Sequence, residues 1–152
     1  MLHGLDGERL SKKFMVKVRP HSGATVRDMY DHLNALLRKK PKYLILHVGA
    51  NDATNNEKTA EMIYEETVRL KLFAEARVPG IIVLISCPIV RRDNDKANIK
   101  ALHLRHKFRT SGLNAVTNER VTYDHLGGKG LHLSKRGIAW FAMSLIDHIK
   151  RL

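Results

Sequence analysis

A chain of 152 residues that is 43% apolar and carries four prolines is long enough for one self-sufficient core and is not of disordered composition. Its 27 Lys and Arg against 15 Asp and Glu give a formal charge of +12, a balance that suits polyanionic partners: nucleic acid, or an anionic membrane surface. One cysteine, Cys87, rules out an internal disulfide framework, no apolar run approaches the roughly 20 residues of a membrane span, and MLHGLDGERLSKK lacks the apolar stretch of a secretory signal. The expectation is a single domain over residues 1–152, soluble and intracellular, either cytoplasmic or nuclear.

In chain order, Leu2, Leu5 and Leu10 recur at roughly helical spacing and suggest a short helix or loop. FMVKVR, Phe14 to Arg19, alternates apolar and basic residues and predicts a strand ended by Pro20. Thr25 is a good N-cap for a helix running to about Lys40, with Val26, Met29, Leu33, Leu36 and Leu37 at steps of three and four; Pro41 stops it. YLILHV, Tyr43 to Val48, predicts a central parallel strand covered on both faces. Thr54 and Glu57 have capping-box spacing and are expected to open a helix to about Arg77 that buries Ile63, Thr67, Leu70 and Ala74. Gly80 to Ser86 is the clearest buried strand. A helix through Ala101, Leu104 and Phe108, a short strand between Leu113 and Tyr123, a GGKG loop and a final helix capped by Ser134 complete the chain.

Strand–helix alternation of this kind predicts a parallel sheet with helices on both faces. Ligands of such sheets bind beyond the carboxyl ends of the strands. The loops at those ends carry three candidates. His132 is suited to general-base work by its ordinary pKa of about 6.5, or is a solvated loop histidine. Gly23 offers a backbone N–H to an oxyanion, or serves only the turn. Asn51 offers a side-chain amide to the same oxyanion, or is a turn asparagine.

HSGAT, then a strand ending in VGAND, then GLHLSKRG before the last helix, resembles in order and spacing the SGNH (GDSL-like) hydrolase superfamily. The resemblance implies a three-layer α/β/α flavodoxin-like fold. It implies acyl-ester hydrolysis, with a serine attacking the ester carbonyl of an acyl-ester or lipid substrate. Carried over to this chain, Gly23 is the oxyanion N–H, Asn51 the oxyanion side chain and His132 the base; Gly49 and Asp52 support the loop, and neither metal nor cofactor is required. ISCPIVRRD and DHLGGKGLHLSKRG further resemble the esterase-like domains in first open reading frame proteins of some LINE-type retrotransposons, a setting that fits RNA or DNA as partners of the basic surface.

Two departures from the superfamily pattern stand out. The nucleophile belongs to a Gly-Asp-Ser at the end of the first, central strand, and no Gly-Asp-Ser occurs in this sequence. The first residues resemble the helix that follows that motif, so the chain is expected to be truncated at its N-terminus and to lack the central strand. The Asp usually found three residues before the histidine is Lys129, which would repel an imidazolium where Asp would stabilise it. The chain is therefore expected to be an esterase-like domain without activity. The alternative is a non-catalytic module, associated with nucleic acid or membrane, of a retrotransposon-derived protein. A phosphate-binding reading ranks lowest, because neither G-x-G-x-x-G nor a Walker A pattern is present.

Overall fold

Apolar runs with β-branched residues pair into a parallel sheet of three strands in the order β1-β2-β3: Tyr43–Leu46, Ile82–Ser86 and Ala115–Val116. The computed structural model describes residues 4–152; the expected contribution of Leu2 to an N-terminal turn lies outside them. Five helices, α1 (Gly7–Leu10), α2 (Met29–Leu37), α3 (Ala60–Arg77), α4 (Asp95–Thr110) and α5 (Lys135–Ile149), separate and flank the strands. Tyr43 is in register with Ile82, and Ile85 with Ala115.

Two apolar clusters divide the helices between the faces of the sheet. One gathers Leu33 and Leu37 of α2, Ile63 and Leu70 of α3 and Leu104 and Phe108 of α4 against Leu44, Leu46 and Val83. The other gathers Leu10 of α1 and Phe141, Leu145 and Ile149 of α5 with Ile89 and Val116, and Ile45 packs against it. The expected α/β/α sandwich is thus present. Full burial of one leucine or phenylalanine contributes about 1.5–3 kcal/mol, so these clusters carry most of the favourable term.

The residues expected to line α3, Ile63, Thr67, Leu70 and Ala74, are all buried. The start of that helix differs. Thr59, not Thr54, accepts the capping bond, from Met62 N at 3.2 Å. Thr54 instead belongs to a 3-10 turn, Asp52–Thr54, and its hydroxyl donates to Asn51 O at 2.7 Å. The intervening Asn55-Asn56 prefers a turn to a helix interior.

The helix expected from Thr25 starts regularly only at Met29; its N-cap is Asp28, which makes no side-chain capping bond, and Thr25 instead closes the turn before it. The Thr25 N–H donates to Asp28 Oδ2 at 2.8 Å and Asp28 N donates back to the Thr25 hydroxyl at 3.4 Å. The first turn between them closes by three-residue bonds, Met29 N to Val26 O and Tyr30 N to Arg27 O.

The largest departure concerns Phe14–Arg19. The segment keeps its alternation, with Phe14, Val16 and Val18 turned toward the second cluster and Met15, Lys17 and Arg19 outward. It nevertheless belongs to no strand pair among the described residues. It runs alongside β1 in the same direction. Phe14 at its start meets the ring of Tyr43 at 5.1 Å, and Ala24 beyond its end accepts from the Asn51 side chain. β1 is correspondingly an edge strand, with Tyr43 and Ile45 only partly buried, and β2 takes the central place expected of β1. A strand needs a neighbour for its backbone groups, and alternation alone does not supply one.

Candidate active site at the carboxyl ends of the strands

Each strand of the sheet ends in a loop on the same rim. Beyond β1, Gly49 adopts φ +90° and Gly23, in the loop before α2, adopts φ +75°. Nothing lies within 4 Å of where a Cβ of Gly23 would sit, so it is backbone conformation and not space that calls for glycine there. The chain then turns into Asn51 and Asp52.

Asn51 is exposed, and its Nδ2 donates to the carbonyl of Ala24 at 2.8 Å, tying the Gly23 loop to the end of β1. An amide nitrogen has two hydrogens, so one remains for another acceptor. Asp52 is the opposite case, only 1% exposed. Its Oδ2 accepts from Val26 N at 2.9 Å and its Oδ1 pairs with Lys58 Nζ at 2.8 Å, which also reaches Glu66 at 2.6 Å. Burial pulls the Lys58 ammonium down, but hydrogen bonds and attraction from the two carboxylates outweigh it and raise its pKa. Asp52 thereby fastens the start of α2, the β1 loop and α3 into one unit.

Beyond β2 the segment Arg91–Asp93 supplies the next wall. Arg91 is 6% exposed and fully engaged: Nη1 donates to Ala50 O at 2.8 Å, and Nε and Nη2 grip the two oxygens of Asp93 at 2.7 and 2.5 Å. A buried guanidinium is tolerated only with such compensation. The bond from Arg91 holds the Asp93 carboxyl below its usual range, with a further contribution from the charge of His132.

His132 itself is exposed at the end of a pinned loop. His132 O accepts from Gly127 N at 2.7 Å, Gly130 O accepts from Arg92 N at 2.7 Å, and Leu126 and Leu133 form an antiparallel bridge. Ser134 caps α5, accepting from Gly137 N at 3.1 Å, and its hydroxyl donates to His125 O at 3.0 Å. Lys129, at the usual Asp position, is exposed on this loop.

Gly23, Asn51 and His132 thus lie on three rim loops, connected by Asn51 to Ala24, Arg91 to Ala50 and Arg92 N to Gly130 O. Arg91 and Asp93 escaped the sequence reading. The available signal was a charged R-R-D run directly after the most apolar strand, where one arginine has to be buried.

The serines fall into three groups. Ser11, Ser111, Ser134 and Ser144 make local caps or back-bonds to their own turns. Ser86 is fully buried at the end of β2, 3.1 Å from His47 Nδ1, and accepts from Asn118 Nδ2 at 3.0 Å. Burial dominates the His47 ring, opposed by its bond to Ser86, and lowers its pKa to about 4. A serine sealed from solvent beside a histidine held neutral is not an accessible nucleophile. Cys87 is likewise inert, its thiol pushed up to about 12 by burial. Ser22 alone is exposed on the rim, next to Gly23. Among the described residues no group of three or more His, Cys, Asp and Glu could hold a metal ion, and no helix is long and apolar enough to cross a membrane.

No family model matches the sequence and no curated protein matches it. Solved structures do match. A lipase/acylhydrolase from Enterococcus faecalis superposes with a TM-score of 0.65 at 19% identity, over 85% of this chain and 72% of that one. The fold is that of the SGNH hydrolases. An acetylxylan esterase from Geobacillus stearothermophilus gives a TM-score of 0.63 at 17% identity, over 84% of this chain and 68% of that one. A peptidoglycan O-acetylesterase gives 0.54 at 18% identity, over 85% of this chain and 44% of that one. In the SGNH hydrolase fold the rim described above is the side on which ligands of an open parallel sheet bind.

Proposed function

We propose that this chain is an SGNH-type esterase-like domain that retains the oxyanion and base elements of acyl-ester hydrolysis and, over residues 1–152 as they stand, does not catalyse it. The hydrogen bond from Asn51 to Ala24 supports the reading most strongly. It joins the loop of Gly23 to the loop of Asn51, so the Gly23 N–H and the second Asn51 N–H are available to one oxyanion. His132 would take the proton of an attacking hydroxyl and return it to the leaving alcohol. Lys129, at the position of the usual Asp, would not favour the imidazolium formed in between. What is wanting is the nucleophile: no Gly-Asp-Ser is present. The substrate class is an acyl ester, of a sugar or a lipid.

The test is hydrolysis of p-nitrophenyl acetate by the purified chain and by His132→Ala. Equal rates at the background level are expected. A wild-type rate well above background that falls with His132→Ala would overturn the proposed inactivity.

A second reading, a non-catalytic nucleic-acid- or membrane-associated module of a retrotransposon-derived protein, is favoured by one observation. The nine ion pairs among the described residues engage eight of the 27 Lys and Arg, so most of the cations have no acid at ion-pair distance.

A further inference from the structure

The uncompensated cations are not spread evenly. From Arg9 to Arg27 the sequence contains no Asp or Glu, and from His32 to Asn51 again none. These two acid-free segments meet. Phe14 and Tyr43 stand edge to face with ring centroids 5.1 Å apart, Lys13 Nζ lies 4.9 Å from the Phe14 ring and Lys42 Nζ 5.3 Å from the Tyr43 ring. Lys12 and Lys17 flank Phe14 along the chain, and Arg38, Lys39 and Lys40 precede Lys42; all are exposed. None of these seven cations has an acidic partner within ion-pair distance among the described residues. Lys40 moreover adopts φ +46°, a conformation that glycine or asparagine takes without strain, so the chain keeps a cation at a turn that other residues suit better.

The patch lies at the amino ends of β1 and of the extended Phe14–Arg19 segment, opposite the rim that carries Gly23, Asn51 and His132. It is therefore not part of the hydrolase-like site.

We infer that this face binds the phosphate backbone of a single-stranded nucleic acid, with bases stacking against the Phe14–Tyr43 pair. The inference rests on the second reading above and gives it a location. A row of cations set around aromatic rings is the arrangement that grips single strands: phosphates meet the ammonium groups and bases meet the π-faces. A bilayer fits less well. Interfacial binding needs several apolar side chains to enter the acyl region, whereas Phe14 and Tyr43 are half-buried in the protein and Met15, 85% exposed, is the one large apolar group offered beside them.

The experiment measures affinity of the full chain for a fluorescent 20-nucleotide single-stranded RNA between 50 and 250 mM salt. It compares Lys13→Gln with Lys42→Gln in one protein, Phe14→Leu in another, and Lys135→Gln with Arg136→Gln as a control of equal charge at the opposite end of the molecule. Thermal melts verify that each variant folds. The double variant at the patch is expected to weaken binding at least tenfold and to reduce the steepness of the log–log salt dependence by about 1.4, two phosphates at about 0.7 each. Phe14→Leu keeps an apolar group in the core and is expected to weaken binding about fivefold or more through lost stacking. The control is expected to change affinity less than threefold. Equal losses from patch and control variants would overturn the location while leaving nucleic-acid binding intact. No binding at 50 mM salt would overturn both the location and the second reading. Binding to phosphatidylserine vesicles tighter than to RNA at matched anionic charge would overturn the choice of nucleic acid.

Discussion

Asn51 donates its side-chain amide to the carbonyl of Ala24 across 27 residues of sequence, while its neighbour Asp52 is buried and bonded to Val26 N and Lys58. Adjacent residues thus divide one corner between them: Asn51 stays on the surface of the rim and Asp52 holds the rim together. Their substitutions are expected to differ accordingly. Asn51→Ala removes one exposed hydrogen bond and costs about 0.5–1 kcal/mol. Asp52→Ala strands Val26 N and takes from Lys58 one of its two acids, costing about 2–3 kcal/mol. Urea unfolding of the two variants measures the difference; equal losses would refute this division of roles.

Stability is expected to fall between about pH 6.5 and pH 4, ahead of ordinary carboxylate titration. His47 carries the effect, because its folded pKa is lowered to about 4 by burial. The unfolded chain then binds a proton that the folded chain refuses, so the contribution is complete above pH 6.5 and lost as pH falls toward 4. The limit is on the order of 3 kcal/mol. The lowered Asp93 carboxyl, held by Arg91, adds a loss at lower pH as it is protonated. Urea midpoints measured from pH 8 to pH 4 trace the curve, and His47→Gln is expected to flatten its upper part. An unchanged slope in that variant would assign the effect elsewhere.

Most helices were legible in the sequence because their apolar positions repeat every three or four residues and their caps are strong. Asn94 and Ser134 accept capping bonds at the starts of α4 and α5. Pairing partners were not legible. The alternation in Phe14–Arg19 reports correctly which residues face the core, but not whether a neighbour exists for the backbone. The same blindness put β1 at the centre of the sheet, since burial of Leu44 and Leu46 by α2–α4 looks the same in an edge strand. Gly23, Asn51 and His132 were picked out as candidates through motif order, whereas the burial of Arg91 depends on a fold-created contact with Ala50.

Backbone amides make the first of these points measurable. Val16 and Val18 are expected to exchange hydrogen at least a hundredfold faster than Leu84 and Ile85, because the former lie outside any ladder and the latter sit in the central strand. Comparable protection in both segments would mean that Phe14–Arg19 is paired after all.

Gly137 tests how the His132 loop is anchored. A Cβ at that position would run into the carbonyl of His125, which Ser134 also binds. Gly137→Ala gains about 1 kcal/mol of helix propensity but must push the loop away, and is expected to destabilise by about 2 kcal/mol net. A thermal melt decides the sign; a stabilised variant would show that the loop is not seated on α5.

The central claim is that this chain has the SGNH hydrolase fold and its charge-stabilising rim without an operative serine. Incubation of the purified chain with a fluorophosphonate probe, followed by intact-mass and peptide analysis, tests it most directly. The account predicts no adduct on any of the six serines, including the exposed Ser22 beside Gly23. A stoichiometric adduct on any one of them, lost on His132→Ala, would contradict it.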